Sequence, residues 1–123
     1  MTKTKKPKWY KVLHRDRDLK MWVGTVTTFD YTPYLPQKGK PGKVLRLPEG
    51  KKLRNCKSGF HVTTMPWDWD WGRGDADTRI YEVRIIGEAL KPVGNKRCCR
   101  ALCLLRLVKR GSAEHRRLCA PPY

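Results

Sequence analysis

Apolar and polar side chains alternate over short stretches of this sequence, the two-residue period of strands that bury one face. Trp9-Tyr10-Lys11-Val12-Leu13-His14 predicts a first strand, closed by the charged turn Arg15-Asp16-Arg17-Asp18. Residues 20–29 are dense in β-branched and aromatic side chains and predict a second strand that folds back on the first as a hairpin. Residues 31–43 carry Pro33, Pro36 and Pro41 with Gly39 and Gly42 and read as a loop. Further short strands are predicted over 43–47 and 58–63. Thr64 offers a helix N-cap, and Pro66 and Asp68 suit a first turn, so a short helix is expected through Trp71, stopped by Gly72 and Gly74. Residues 79–88 alternate again, with Tyr81, Val83 and Ile85 expected in the core and Ile80, Glu82, Arg84 and Ile86 on the other face. Residues 96–100 read as a helical turn, and 101–108 as a buried final strand. The expected fold class is α+β: a β-dominated single domain over residues 8–110, with five or six mostly antiparallel strands and one or two short helices. Residues 1–7 read as a disordered basic arm and 111–123 as a flexible basic tail.

Composition sets limits on this picture. At 123 residues and 39% hydrophobic side chains, the chain has room for one domain with a small core. It contains no apolar run of the roughly 18 residues a membrane span needs, and its basic start lacks the apolar stretch of a secretory signal. A cytoplasmic protein is expected. Five cysteines, two of them adjacent at Cys98 and Cys99, make a poor disulfide framework and read as reduced thiols.

Charge changes the picture most. Lys and Arg number 28 against 11 Asp and Glu, for a net +17, and such self-repulsion favours an anionic partner. The excess is uneven: +6 over residues 1–20, +7 over 38–57 and +8 over 91–123, with −3 over 58–90. If folding gathers the three basic segments on one face, that face attracts phosphates and releases counterions as it does so. The residues expected to contact nucleic acid are Lys38, Lys40, Lys43, Lys51, Lys52, Arg54 and Lys57, joined by Arg97, Arg100, Lys109 and Arg110.

Other constellations weigh less. Cys56 and His61, with Cys98, Cys99 and Cys103, contain enough soft ligands for zinc, but no Cys-x-x-Cys knuckle, and core cysteines are the expectation. Asp68, Asp70, Asp75 and Asp77 lack the offsets of a calcium loop, since Gly72 stands where a ligand is needed. Trp67, Trp69 and Trp71 alternate with aspartates that repel phosphate, so Trp67 and Trp69 are candidate protein contacts instead. Trp9, between Lys8 and Lys11, has the better surroundings for base stacking, although packing against a strand is expected of it. No cofactor and no catalytic residue are expected.

Two resemblances add to this. Cys56, Gly59-Phe60-His61, the Pro-led aromatic segment 66–71, Tyr81-Glu82-Val83 and Gly87-Glu88 together resemble an uncharacterised family of short phage and prophage proteins. The resemblance implies a phage-type origin and action on host machinery, including antiviral nucleoproteins. Gly59-Phe60-His61-Val62-Thr63 and Tyr81-Glu82-Val83 are also similar to the nicotinamide-cleft strands of ADP-ribosyltransferase folds, which would put His14 at the ribose. The expected function is that of a small basic phage-type protein that occupies nucleic acid or a host nucleoprotein without chemistry, in the manner of an anti-CRISPR. The alternatives are a transferase-like enzyme and an inhibitor that binds protein through the Trp67–Trp71 segment.

Overall fold

The computed structural model describes residues 7–15, 22–23, 29–54, 59–66 and 78–119. The strands are β1 (Trp9–Arg15), β2 (Trp22–Val23), β3 (Val44–Arg46), β4 (Phe60–Thr63), β5 (Thr78–Ala89) and β6 (Lys96–Leu107). A single 3-10 turn, Thr32–Tyr34, and a helix α1, Ala113–Cys119, complete the described elements. The expected helix after Thr64 and the segment 67–71 fall mostly outside the described residues.

Every strand pairing is antiparallel, and the pairings close on themselves. β1 pairs with β4 and β5, and β6 pairs with the same two, so the four strands form a small barrel-like ring. β1 and β6 thus stand on opposite walls. β2 extends the β4-side edge of β1, with His14 opposite Val23, as the expected hairpin requires. β3 extends the matching edge of β6, with Leu45 opposite Leu102. The long β5–β6 ladder shifts register between Glu82 and Val83 and again between Ile86 and Ala89. Such bulges sharpen local twist and curve a ladder, which a ring this small requires.

Two cores result. Leu13, Tyr31, Leu45, Val62, Tyr81, Val83, Cys99, Leu102 and Leu104 fill the ring. Tyr81 and Val83 therefore face inward, as their alternation predicts. Tyr10, Val12, Ile80, Val108 and Leu118 form a second cluster on the outer face of β1 and β5, under α1.

That second cluster corrects the reading of the C-terminal segment. Residues 113–119 of the expected flexible tail are helical, and Leu118 is buried at 4% exposure. The Ser112 hydroxyl accepts the His115 backbone N–H at 3.1 Å, and Glu114 lies in the first turn with Arg116 and Arg117 in the last. Cap and dipole thus agree on a helix. It also buries Ile80, which alternation had assigned to a solvent face. The helical turn expected over 96–100 is absent, because this stretch pairs with β4 from Phe60–Cys99 to Thr63–Lys96. Ladder partners on both sides override a local turn preference.

Candidate nucleic-acid interface

The segment that follows the 3-10 turn runs antiparallel along the free edge of β6 and is fastened to it repeatedly. Gly39 and Pro36 lie against Leu105, Arg106 and Leu107, and line a shallow pocket with them. The Gly42 N–H donates to the Leu104 carbonyl at 2.9 Å, and the Cys103 thiol donates to the Gly42 carbonyl at 3.0 Å. Farther along, the Leu47 N–H reaches the Arg100 carbonyl at 2.8 Å, and Arg100 Nη2 donates to the Lys51 carbonyl at 2.7 Å. At Gly42 the segment also passes close to the end of the 3-10 turn, since a Cβ there would overlap the carbonyl oxygen of Tyr34.

This fastening consumes backbone groups and leaves the cations outside. Lys38, Lys40, Lys43, Arg46, Lys51, Lys52 and Arg54 are all exposed. They follow one another along the β6 edge, and Lys109 and Arg110, also exposed, come just after the end of β6. Among the described residues, three of the carboxylates are engaged by arginines. Glu88 is paired with Arg100 at 2.9 Å, while Glu82 and Glu114 both hold Arg106, at 2.7 and 2.8 Å. Arg106 holds the Glu114 carboxyl below its ordinary value, with the Tyr10 hydroxyl donating to it at 2.9 Å. Glu49 is exposed within the row.

The tip of the row is built with a conformational cost. Gln37 and Lys40 exchange backbone hydrogen bonds of 3.1 and 2.9 Å around Lys38 and Gly39, whose φ angles are 50° and 76°. Positive φ at both central residues is the turn that twists in the same sense as a hairpin, and Asn-Gly is its preferred sequence. Lysine is strained at the first of these positions. Lys38→Asn is therefore expected to raise stability by about 0.5–1 kcal/mol, read as a higher urea midpoint at unchanged slope.

Not every expected contact belongs to this row. Arg97 projects over the Trp9 ring, 5.9 Å from its centre, and its Nε donates to the Leu90 carbonyl at 2.8 Å, so it serves packing at one end of the barrel. Trp9 is half-buried and also packs against the ring core. Arg100 is half-buried and engaged as described. Of the first basic segment, Lys11 and Arg15 sit on β1, across the ring from β6, with Lys11 buried, and Lys8 just precedes that strand; its other cations lie outside the described residues. Thus the described part of the second basic segment lies beside β6 of the third, while Lys11 and Arg15 of the first stand on another strand. Lys57, Cys56, Trp67 and Trp69 lie outside the described residues. Sequence reasoning passed over Arg46, although Leu45 at 1% exposure turns both its neighbours outward in a strand. Arg84 is also exposed, and its Cα is in register with Cys103 and Val44.

Residues weighed for other chemistry are occupied elsewhere. His14 Nδ1 is 3.2 Å from the Thr78 hydroxyl, and Glu82 is held by Arg106. The strands similar to a nicotinamide cleft, β4 and β5, are not neighbours in the ring. Cys98, Cys99 and Cys103 are buried free thiols of β6, with burial pushing the Cys99 thiol up to about 12. Among the described residues, no group of three His, Cys, Asp or Glu side chains gathers at one point, and no helix is long and apolar enough to cross a membrane. Comparison with known protein families, curated proteins and solved structures finds no match.

Proposed function

We propose that the chain binds nucleic acid, free or within a nucleoprotein, by laying the basic row along β6 against successive phosphates. The observation that carries this reading is the exposed cation series from Lys38 to Arg54, anchored through its backbone while Glu82, Glu88 and Glu114 are tied up by arginines. Phosphate contacts of this kind fix position without reading bases, so the binding is not sequence-specific. The action is occupancy: a strand held on the row is withheld from any other protein. In the phage setting that the sequence resemblance implies, the competitor is host machinery working on the same nucleic acid.

Binding to generic duplex and single-stranded DNA and RNA, followed by fluorescence anisotropy at 50 and 200 mM salt, tests the proposal. Six duplex phosphate contacts give an affinity loss of about a thousandfold across that range. Replacing Lys40, Lys43 and Arg46 together by Glu is expected to weaken binding at least a hundredfold at low salt and to flatten the salt slope by about three. Unchanged affinity in the triple variant, or binding indifferent to salt, would falsify the reading. Salt-insensitive capture of a single host protein would favour a protein-binding inhibitor instead.

A further inference from the structure

Beside the basic row lies an aromatic cluster that phosphate contacts leave unused. The Phe29 ring centre is 5.0 Å from that of Tyr31, 6.0 Å from that of Tyr34 and 6.1 Å from that of Phe60. The interplanar angles are 72°, 30° and 72°. Edge-to-face and tilted packing suits the aromatic quadrupoles and fixes the orientation of the Phe29 ring. Tyr31 is buried in the barrel core, and Tyr34 and Phe60 pack against that core half-buried. Phe29 is the most open of the four, at 42% exposure.

Two sets of contacts join this cluster to the row. The Tyr34 carbonyl lies against Gly42, which brings the cluster next to Lys43. Phe60 follows Gly59, where a Cβ would meet the Leu53 side chain at 2.8 Å, and Leu53 precedes Arg54. Lys43 and Arg54 are both exposed. Within the row, Val44 is 40% exposed and shares the outer face of β3 with Arg46, because Leu45 between them turns inward. An aliphatic side chain there offers nothing to a phosphate but suits the apolar surface of a sugar or base. Asp30, the anion next to Phe29, is engaged locally: its carboxylate accepts the Thr32 N–H at 2.9 Å.

We infer that the nucleic acid held on the row is single-stranded, with one unpaired base stacked on Phe29. This rests on the reading of the row as a phosphate-binding surface and adds the form of nucleic acid it takes. In a duplex both faces of each internal base are covered, so Phe29 gains a base only after one has been unstacked and unpaired, at a cost in free energy. An unpaired base meets the ring without that cost. A ring already held by three others also loses little side-chain freedom on binding. Stacking tolerates every base, in keeping with contacts that do not read sequence.

The test compares an oligothymidylate of about sixteen nucleotides with a duplex of the same length, by fluorescence anisotropy at low salt. The wild type is expected to favour the single strand. Phe29→Leu, which keeps an apolar side chain without a ring, should weaken single-strand binding about tenfold, the effect of one lost stack, and leave duplex affinity unchanged. Phe29→Trp should retain the preference, and the triple Glu variant of Lys40, Lys43 and Arg46 should weaken both forms. A second measurement needs no variant: an oligothymidylate with iodouracil in place of some thymines should, on irradiation, cross-link to Phe29 of the wild-type protein, located by peptide mass. Equal affinity for the two forms overturns the inference and leaves phosphate binding by the row intact. So does a preference that survives Phe29→Leu in a variant with native circular dichroism, or cross-linking only at other residues. Absence of salt-dependent binding to either form would remove the reading of the row itself, and this inference with it.

Discussion

Lys11→Met is expected to stabilise the protein at pH 7 by about 2 kcal/mol and to erase a rise in stability between pH 8 and 9. Lys11 occupies an inward position on β1, 6% exposed, with its Nζ donating to the His61 carbonyl at 2.7 Å and lying 5.4 Å from the centre of the Tyr31 ring. Burial lowers its pKa to about 8, against a smaller upward pull from Cys99 and Cys98. A folded value below the unfolded 10.5 means that the unfolded chain holds the extra proton in between, so stability climbs with pH once pH 8 is passed. Below that, the charged amine costs about 3 kcal/mol. Removing it forfeits a hydrogen bond of about 1 kcal/mol, which leaves the net gain stated.

The climb is short. Cys99, raised to about 12 by burial, stays protonated in the fold while the unfolded thiol ionises from about pH 9, and this pulls stability down again. Tyr31, raised by burial and then by Cys99, acts in the same direction at higher pH. Urea unfolding from pH 7 to 10 should therefore show a maximum near pH 9 in the wild type and no rising limb in Lys11→Met. A Lys11→Met protein less stable than wild type at pH 7 would mean that the amine's contacts outweigh its desolvation.

Leu118→Ala is expected to cost about 2–3 kcal/mol, more than a residue so near the end of the chain would ordinarily command. Leu118 covers Tyr10, Val12, Ile80 and Val108 in the second core, all of them nearly or fully buried. Arg106 and the Tyr10 hydroxyl grip Glu114 on the same helix. The check is the urea midpoint of Leu118→Ala beside that of Arg116→Ala, an exposed neighbour expected to stay within about 0.5 kcal/mol of wild type. Equal midpoints would show α1 to be dispensable.

Much of the ring was legible because strand signals are local. The alternation of Tyr81 and Val83 and the proline-rich loop before β3 lead directly to described elements. What escaped depended on partners remote in sequence. Ser112, Glu114 and the pair Arg116–Arg117 are helix signals, but a helix of seven residues is not stable alone; it exists because Leu118 meets strands from the other end of the chain. Lys11 reads as a solvent cation until the inward face of β1 is known. Charge clustering located the row from Lys38 to Arg54, yet composition could not separate Arg97, packed on Trp9, from the exposed cations near it. The neighbours that decide a side chain's role across a closed ring lie on other strands.

The closure of that ring sets an order of assembly. β5 and β6 are joined by a tight connection, with Val93 and Lys96 exchanging backbone hydrogen bonds of 2.8 and 3.1 Å, so this hairpin forms at little loop-closure cost. β1 is synthesised first but finds its partner in β5 only after most of the chain exists. During translation β1 therefore has only its short pairings with β2 and β4 until β5 follows, and a mutation that speeds formation of the β5–β6 hairpin should accelerate folding more than one that improves β1.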